Sequence, residues 1–138
     1  MKYAILLLTV LQILFFNVDS EAEYQRLIAP ACLPVEFQAW AKFTIIFQVN
    51  DFYFVPENVS VLGAWFEPVD KELFLNVSSE VLNYGGTYFE YRFVQTLLKN
   101  AFNLPNVRYF TLLVEGEPAP LPESSKIYRA LNPSYVEK

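Results

Sequence analysis

The residue types that most often carry out catalysis or bind metals are nearly absent from this chain. Its 138 residues include no histidine and one cysteine, Cys32. Without histidine the chain lacks the commonest general base and metal ligand, which excludes Ser-His-Asp and Cys-His machinery. A zinc site would have to rely on Cys32 and carboxylates, an unusual ligand set. Gly85-Gly86 is too short for a phosphate-binding loop and is better explained by a helix start. The sequence therefore predicts no metal site and no bound cofactor.

Carboxylates are the remaining candidates for chemistry. Catalysis by a carboxylate pair requires two acidic side chains that converge in a pocket within roughly 5–10 Å of each other. The acidic residues of the central region are scattered, and their spacing places no two across a cleft: Glu57, Glu67, Asp70, Glu72, Glu80 and Glu90. We expect a solvated acidic surface with Glu90 capping a helix, and hence no catalytic residues. The chain is predicted not to be an enzyme, and a paired-carboxylate enzyme is the hypothesis that competes with this prediction.

Aromatic residues are more numerous than a small core requires, since 17% of the chain is Phe, Trp or Tyr. Tyr84, Tyr88 and Tyr91 cluster around a predicted helix start, and Trp65 precedes them. Exposed aromatic residues mark interaction surfaces, although such residues can also fill a core or shield its rim. If the protein has a partner surface, we expect Trp65, Tyr84, Tyr88 and Tyr91 to belong to it.

The composition indicates one folded domain with an acidic surface. Hydrophobic residues make up 54% of the chain, which is enough for a core and is not typical of disorder. The formal net charge is −5. Such a chain lacks the basic surface that binds phosphate backbones or anionic lipid heads, so nucleic acid is not an expected partner.

The N-terminal segment has the pattern of an export signal. Tyr3–Phe16 is almost entirely apolar, which is too short for a bilayer span of about 20 residues but suits a signal peptide. We predict a signal peptide over 1–22, with an uncleaved anchor or a buried helix of the domain as alternatives. Pro30 and the polar stretch before Cys32 argue against lipid attachment, so a free thiol is the simpler interpretation. The protein is predicted to be exported, periplasmic or otherwise extracytoplasmic, and membrane-attached only through residues 3–16.

The rest of the chain alternates between strand and helix patterns. After an irregular lead-in over 23–40, β-branched and aromatic residues predict strands, at 41–50, 52–55, 59–62, 72–77 and 107–114. An apolar repeat predicts one amphipathic helix, with Thr87 as its N-cap and Glu90 at capping-box spacing. The helix connects strands 72–77 and 107–114, and this connection is long enough for the two strands to be parallel. The predicted fold is α+β, a small sheet of about four strands with one main helix packed on it, followed by a loose tail over 123–138.

The order of these elements resembles a known family. One strand ends in Leu75-Asn-Val-Ser78, Glu90 opens the helix, Thr96-Leu97 lies near its end, and the last strand runs into Leu113-Val-Glu-Gly116. In this order and spacing the pieces resemble the GerMN (sporulation and spore germination) domain, which bacteria carry on exported envelope proteins. The resemblance covers residues 41–122. The family usually places a helix before its second pair of strands, and only Pro56–Pro68 fills that space here, so the chain resembles a shortened or divergent member.

The resemblance implies a binding or scaffolding module rather than an enzyme. Relatives take part in cell-surface assemblies, so the implied partner is another envelope protein or a second copy of the chain. The alternative hypothesis is a module that binds cell-wall glycan or a small ligand. In that case Trp65 and the tyrosines would be the stacking platforms.

Overall fold

A computed structural model of the chain describes residues 33–48 and 54–137. The predicted signal peptide over 1–22, most of the lead-in and Cys32 lie outside these residues. The helices are α1, Val35–Gln48, and α2, Thr87–Phe102, with a short 3₁₀ helix at Ser79–Leu82. The strands are β1, Val61–Glu67; β2, Glu72–Val77; β3, Tyr109–Val114; and β4, Ala130–Leu131. The predicted α+β class, with a sheet of four strands, is confirmed.

The sheet has the strand order β1-β2-β3-β4. β1 and β2 are antiparallel, β2 and β3 are parallel, and β3 and β4 are antiparallel. The predicted parallel pairing of 72–77 with 107–114 is therefore confirmed, because α2 supplies the crossover that such a pair needs. Strand 59–62 was predicted in the right region, although β1 begins at Val61 and continues to Glu67.

The predictions of an irregular lead-in as far as residue 40 and of a strand over 41–50 are wrong where the structure describes them, because Val35–Gln48 form α1. Thr44, Ile45 and Ile46 favour a strand locally, but tertiary packing overrides this preference. The helix instead presents an apolar stripe to the core at helical spacing: Ala39, Phe43, Ile46 and Phe47. The returning strand over 52–55 lies partly outside the described residues, and Phe54 and Val55 are not in a strand.

Both helices pack on one face of the sheet, which we call the inner face. Its buried side chains alternate along the two central strands: Leu73, Leu75, Val77, Phe110, Leu112 and Val114. Phe43 of α1 stacks on Phe110 with ring centroids 5.9 Å apart, and Phe47 meets Phe93 of α2 at 6.3 Å. The outer face carries the alternate residues of the same strands. The inner face with its two helices is therefore the core of the domain.

The start of α2 differs from the capping box that its sequence predicts. Gly86 is the N-cap, with φ +102°, and no side chain caps the helix. Thr87 is already the first helical residue. A positive φ of this size favours glycine, which explains Gly86 at this position. Glu90 is consequently free to take another role, described below.

The segment after β3 packs on the domain, and the predicted loose tail is wrong for part of its length. Ala130 and Leu131 form β4 against β3, and Ile127 is buried in the core. Asn132 is also buried, and its Nδ2 donates to the Val107 carbonyl at 2.9 Å. Much of the C-terminal segment is therefore integral to the fold.

Two pieces of the sequence resemblance meet in space at one end of the sheet. Asn76 Oδ1 accepts a hydrogen bond from Gly116 N at 2.7 Å. Glu115 Oε1 accepts one from Ser79 N at 3.0 Å, and Glu115 N donates to the Val77 carbonyl at 2.9 Å. The Asn-Val-Ser step and the acidic-Gly turn thus join the ends of β2 and β3, which gives both motifs a structural role.

Candidate binding surfaces

The exposed face of α2 carries two of the four predicted surface residues. Tyr88 and Tyr91 are 62% and 58% exposed. They lie three residues apart. Arg92 lies four residues after Tyr88, and Gln95 lies four residues after Tyr91, so all four side chains occupy one side of the helix. We call these four residues the tyrosine stripe. The buried side of α2, with Phe93, lies opposite them.

The tyrosine stripe is held in place by its own contacts. Arg92 Nη1 donates to Tyr88 Oη at 3.2 Å, and Gln95 Nε2 donates to Tyr91 Oη at 2.8 Å. The Phe54 ring meets the Tyr88 ring edge-on at 5.3 Å, and the Arg92 guanidinium lies 5.3 Å from the Phe54 ring centroid. Side chains that are already ordered lose less entropy when a partner binds. The stripe is therefore a preorganised surface.

Tyr84 lies in the rim of the core and does not join the tyrosine stripe. It is half-buried, its ring stacks on Phe89 at 4.7 Å, and its hydroxyl donates to Glu90 Oε1 at 2.7 Å. Burial raises the pKa of Tyr84, and the hydrogen bond and charge of Glu90 raise it further. The hydroxyl therefore stays a donor committed to Glu90.

Trp65 lies on the other side of the domain, on the outer face of the sheet. It is 44% exposed, and its ring stacks on Phe74 of β2 at 5.3 Å with an interplanar angle of 16°. Since α2 packs on the inner face, the sheet separates Trp65 from the tyrosine stripe. The structure thus divides the predicted surface into two, joined by neither a common cleft nor a shared helix.

The carboxylates of Asp70 and Glu72 lie close together, and both contact the guanidinium of Arg129. Arg129 Nη1 lies 3.6 Å from Asp70 Oδ2 and 3.4 Å from Glu72 Oε2, so these two carboxylates are at most about 7 Å apart, within the range of catalytic pairs. Glu72 is buried and also accepts a hydrogen bond from Thr111 Oγ1 at 3.2 Å. Arg129 itself lies over the Tyr109 ring at 4.4 Å. The space between the two acids is filled by a positive charge rather than by a cleft.

Glu90 is a buried carboxylate whose role the sequence did not indicate. It is 2% exposed. Oε1 accepts from Tyr84 Oη at 2.7 Å and from Glu123 N at 2.9 Å, and Oε2 accepts from Ser125 N at 3.0 Å. Burial raises the pKa of Glu90, but the hydrogen bonds from Glu123, Ser125 and Tyr84 outweigh it, and the net pKa is lowered. Two of these donors, Glu123 N and Ser125 N, lie 33 and 35 residues along the chain, so no local pattern could have revealed them.

Within residues 33–48 and 54–137, no group of three or more His, Cys, Asp or Glu side chains could hold a metal ion. None of the helices in these ranges combines the length and apolar character that crossing a membrane would take.

Comparisons with known proteins give one structural similarity. No model of a known protein family matches the chain, and no curated protein matches it. A 2.5 Å crystal structure of a Clostridium perfringens protein assigned as a lipoprotein aligns with a TM-score of 0.45 and 12% identity. The alignment covers 87% of this chain and 61% of that one. Similarity at this level transfers no function, and the GerMN resemblance is not confirmed.

Proposed function

We propose that the chain is an exported, envelope-associated binding domain that assembles with another protein, and that it acts by binding rather than by catalysis. The observation that carries this proposal is the pair of ordered, exposed aromatic surfaces on opposite sides of the domain. The resemblance to GerMN domains and the export pattern over 1–22 support the same function. The Asp70–Glu72 pair is consistent with this proposal, since the Arg129 guanidinium occupies the space between the two carboxylates.

The tyrosine stripe is the surface best suited to a protein partner. Tyrosine and arginine are enriched among residues that dominate binding energy at interfaces. The exposed side of α2 also carries the positive charges of Arg92 and Lys99, whereas Glu90 is turned inward. On a chain of net charge −5 this cationic aromatic surface fits an acidic and partly apolar partner surface.

The test is capture of a defined partner by the tagged full-length chain from solubilised envelopes of its source, followed by binding measurements with the purified partner. Tyr88→Ala should weaken binding at least about tenfold, as expected for an interface anchor. Tyr128→Ala is the matched control, because Tyr128 is 56% exposed but lies outside α2. Binding should also weaken as salt rises. Equal affinities for the two variants would contradict the proposed surface.

Glycan binding is the second candidate, and the Trp65–Phe74 stack favours it. An exposed tryptophan ring on a sheet face, backed by the half-buried Phe74, can act as a stacking platform for a sugar ring. Co-sedimentation of the full-length protein with purified wall glycan, compared with Trp65→Ala, tests this directly. Retention that depends on Trp65, without any protein partner, would replace protein assembly as the function. Retention unaffected by Trp65→Ala would exclude the platform.

A further inference from the structure

β1 forms one edge of the described sheet, so only β2 pairs with it there. The outward backbone groups of an edge strand are a template for another strand, and native edges are commonly protected by Lys or Pro. Neither residue occurs between Val61 and Glu67, where the sequence reads VLGAWFE. The one protective device is a bulge between Val61 and Gly63 at the start of the strand.

The single charge of β1 is turned toward the following turn. The Glu67 carboxylate accepts hydrogen bonds from Val69 N at 2.8 Å and Asp70 N at 2.6 Å. These contacts hold the carboxylate at the end of the strand, where the chain reverses into β2. The remaining length of the edge is therefore uncharged.

Gly63 and Trp65 lie side by side on the outer face of this edge. They pair with Asn76 and Phe74 of β2, two residues apart along each strand. A side chain placed on Gly63 would meet nothing within 4 Å of its Cβ. The edge thus has an empty position beside a partly exposed indole, and a tryptophan ring across from a glycine is a favourable cross-strand arrangement.

We propose that β1 pairs antiparallel with β1 of a second copy of this chain, across a two-fold axis at Ala64. This inference rests on the proposed assembly function and names one partner for it. In this register Ala64 pairs with Ala64 of the second copy, and each Trp65 covers Gly63 of the second copy. The two four-stranded sheets join into one, with both outer faces on the same side.

A second copy fits this edge because the strand is self-complementary. The two Glu67 carboxylates lie at opposite ends of the paired strands, so no like charges face each other. The bulge lies between Val61 and Gly63, so Gly63, Ala64 and Trp65 form the regular centre of the ladder. A two-fold contact uses the same strand on both chains and closes on itself, so the expected product is a dimer and not a fibre.

Sedimentation equilibrium of the full-length protein tests the pairing. The wild type should approach twice the 16.0 kDa of one chain as concentration rises. Gly63→Glu places a charged side chain where the indole must lie and should raise the dimer dissociation constant at least about tenfold. Gly85→Glu is the matched control, because Gly85 is equally open and lies in the loop before α2. This control should remain dimeric.

A second variant covers the case in which Gly63→Glu does not fold. Trp65→Thr keeps a strand-forming residue but removes the ring, and it should also weaken the dimer. The proposal would be overturned if the wild type stays monomeric. It would also be overturned if β1 pairs only with an extended segment of another protein. Equal dissociation constants for Gly63→Glu and Gly85→Glu would overturn it as well. The dimer proposal and the proposed function can fail separately. If a monomeric Gly63→Glu chain still captures a protein partner through Tyr88, the proposed function stands without the dimer.

Discussion

Replacing Glu90 with glutamine is the sharpest test of the core described above. Glutamine keeps the shape of the side chain but has one oxygen where glutamate has two. If that oxygen takes the place of Oε1, it still accepts from Tyr84 and Glu123, and the new NH₂ group faces Ser125 N. The charge-assisted hydrogen bonding of Ser125 then loses its acceptor oxygen in a buried site, which costs about 3 kcal/mol of unfolding free energy.

The pH dependence of the stability difference between wild type and Glu90→Gln is a second test of the role of Glu90. The pKa of Glu90 is lowered from 4.5 in the folded protein. Its contribution is therefore fully present above about pH 4.5 and is lost as pH falls through the lower folded-state value. The stability difference between wild type and Glu90→Gln should be constant near neutral pH and should shrink below pH 4.5. Other carboxylates titrate in both proteins and cancel in the difference.

Urea denaturation of the full-length protein, followed by tryptophan fluorescence from pH 7 to pH 3, measures both effects. Glu57→Gln is the control, since Glu57 is an exposed glutamate and its replacement should change stability by less than about 0.5 kcal/mol. A loss below about 0.5 kcal/mol for Glu90→Gln would refute the reasoning. A difference that stays constant down to pH 3 would show that ionised Glu90 is not the stabilising species.

Three further changes test other parts of the fold by urea denaturation. Phe43→Ala removes a fully buried ring and should cost about 3–5 kcal/mol; a cost under 1 kcal/mol would contradict the packing of α1 on the sheet. Arg129→Met leaves the buried Glu72 carboxylate without its cation, so the urea midpoint should fall, and adding Glu72→Gln should restore much of it. Independent, additive effects would argue against the pair. Asn76→Ala removes the acceptor for Gly116 N and should cost about 1 kcal/mol, while an unchanged midpoint would mean that water replaces the bond.

The second half of the fold could be predicted because its patterns are local. Alternation over 72–77 and the apolar repeat of α2 each bury one face, and these periods are visible in any short window. In the first half, Thr44-Ile-Ile favours a strand in isolation. The same segment also contains apolar residues at the helical steps of Ala39, Phe43, Ile46 and Phe47, and packing against the sheet decides between the two readings.

The candidate surface was predictable in residue type but not in grouping. Exposure of Trp65, Tyr88 and Tyr91 fits their excess over what a small core needs. The position of Tyr84 in the chain predicts that it joins the helix tyrosines, but its hydroxyl donates to the buried Glu90 carboxylate and its ring lies in the rim of the core. The division of the surface by the sheet depends on which face receives α2, and this is set by contacts between distant segments.

The buried Glu90 carboxylate has a consequence for the order in which the chain can finish folding. Among its donors, Glu123 N and Ser125 N lie 33 and 35 residues after Glu90 in the chain. Both residues follow α2 in the chain, so α2 can bury this charge favourably only after the segment 123–125 has been synthesised and has packed on the helix. The final docking of α2 therefore depends on a segment that lies outside the helix's own sequence.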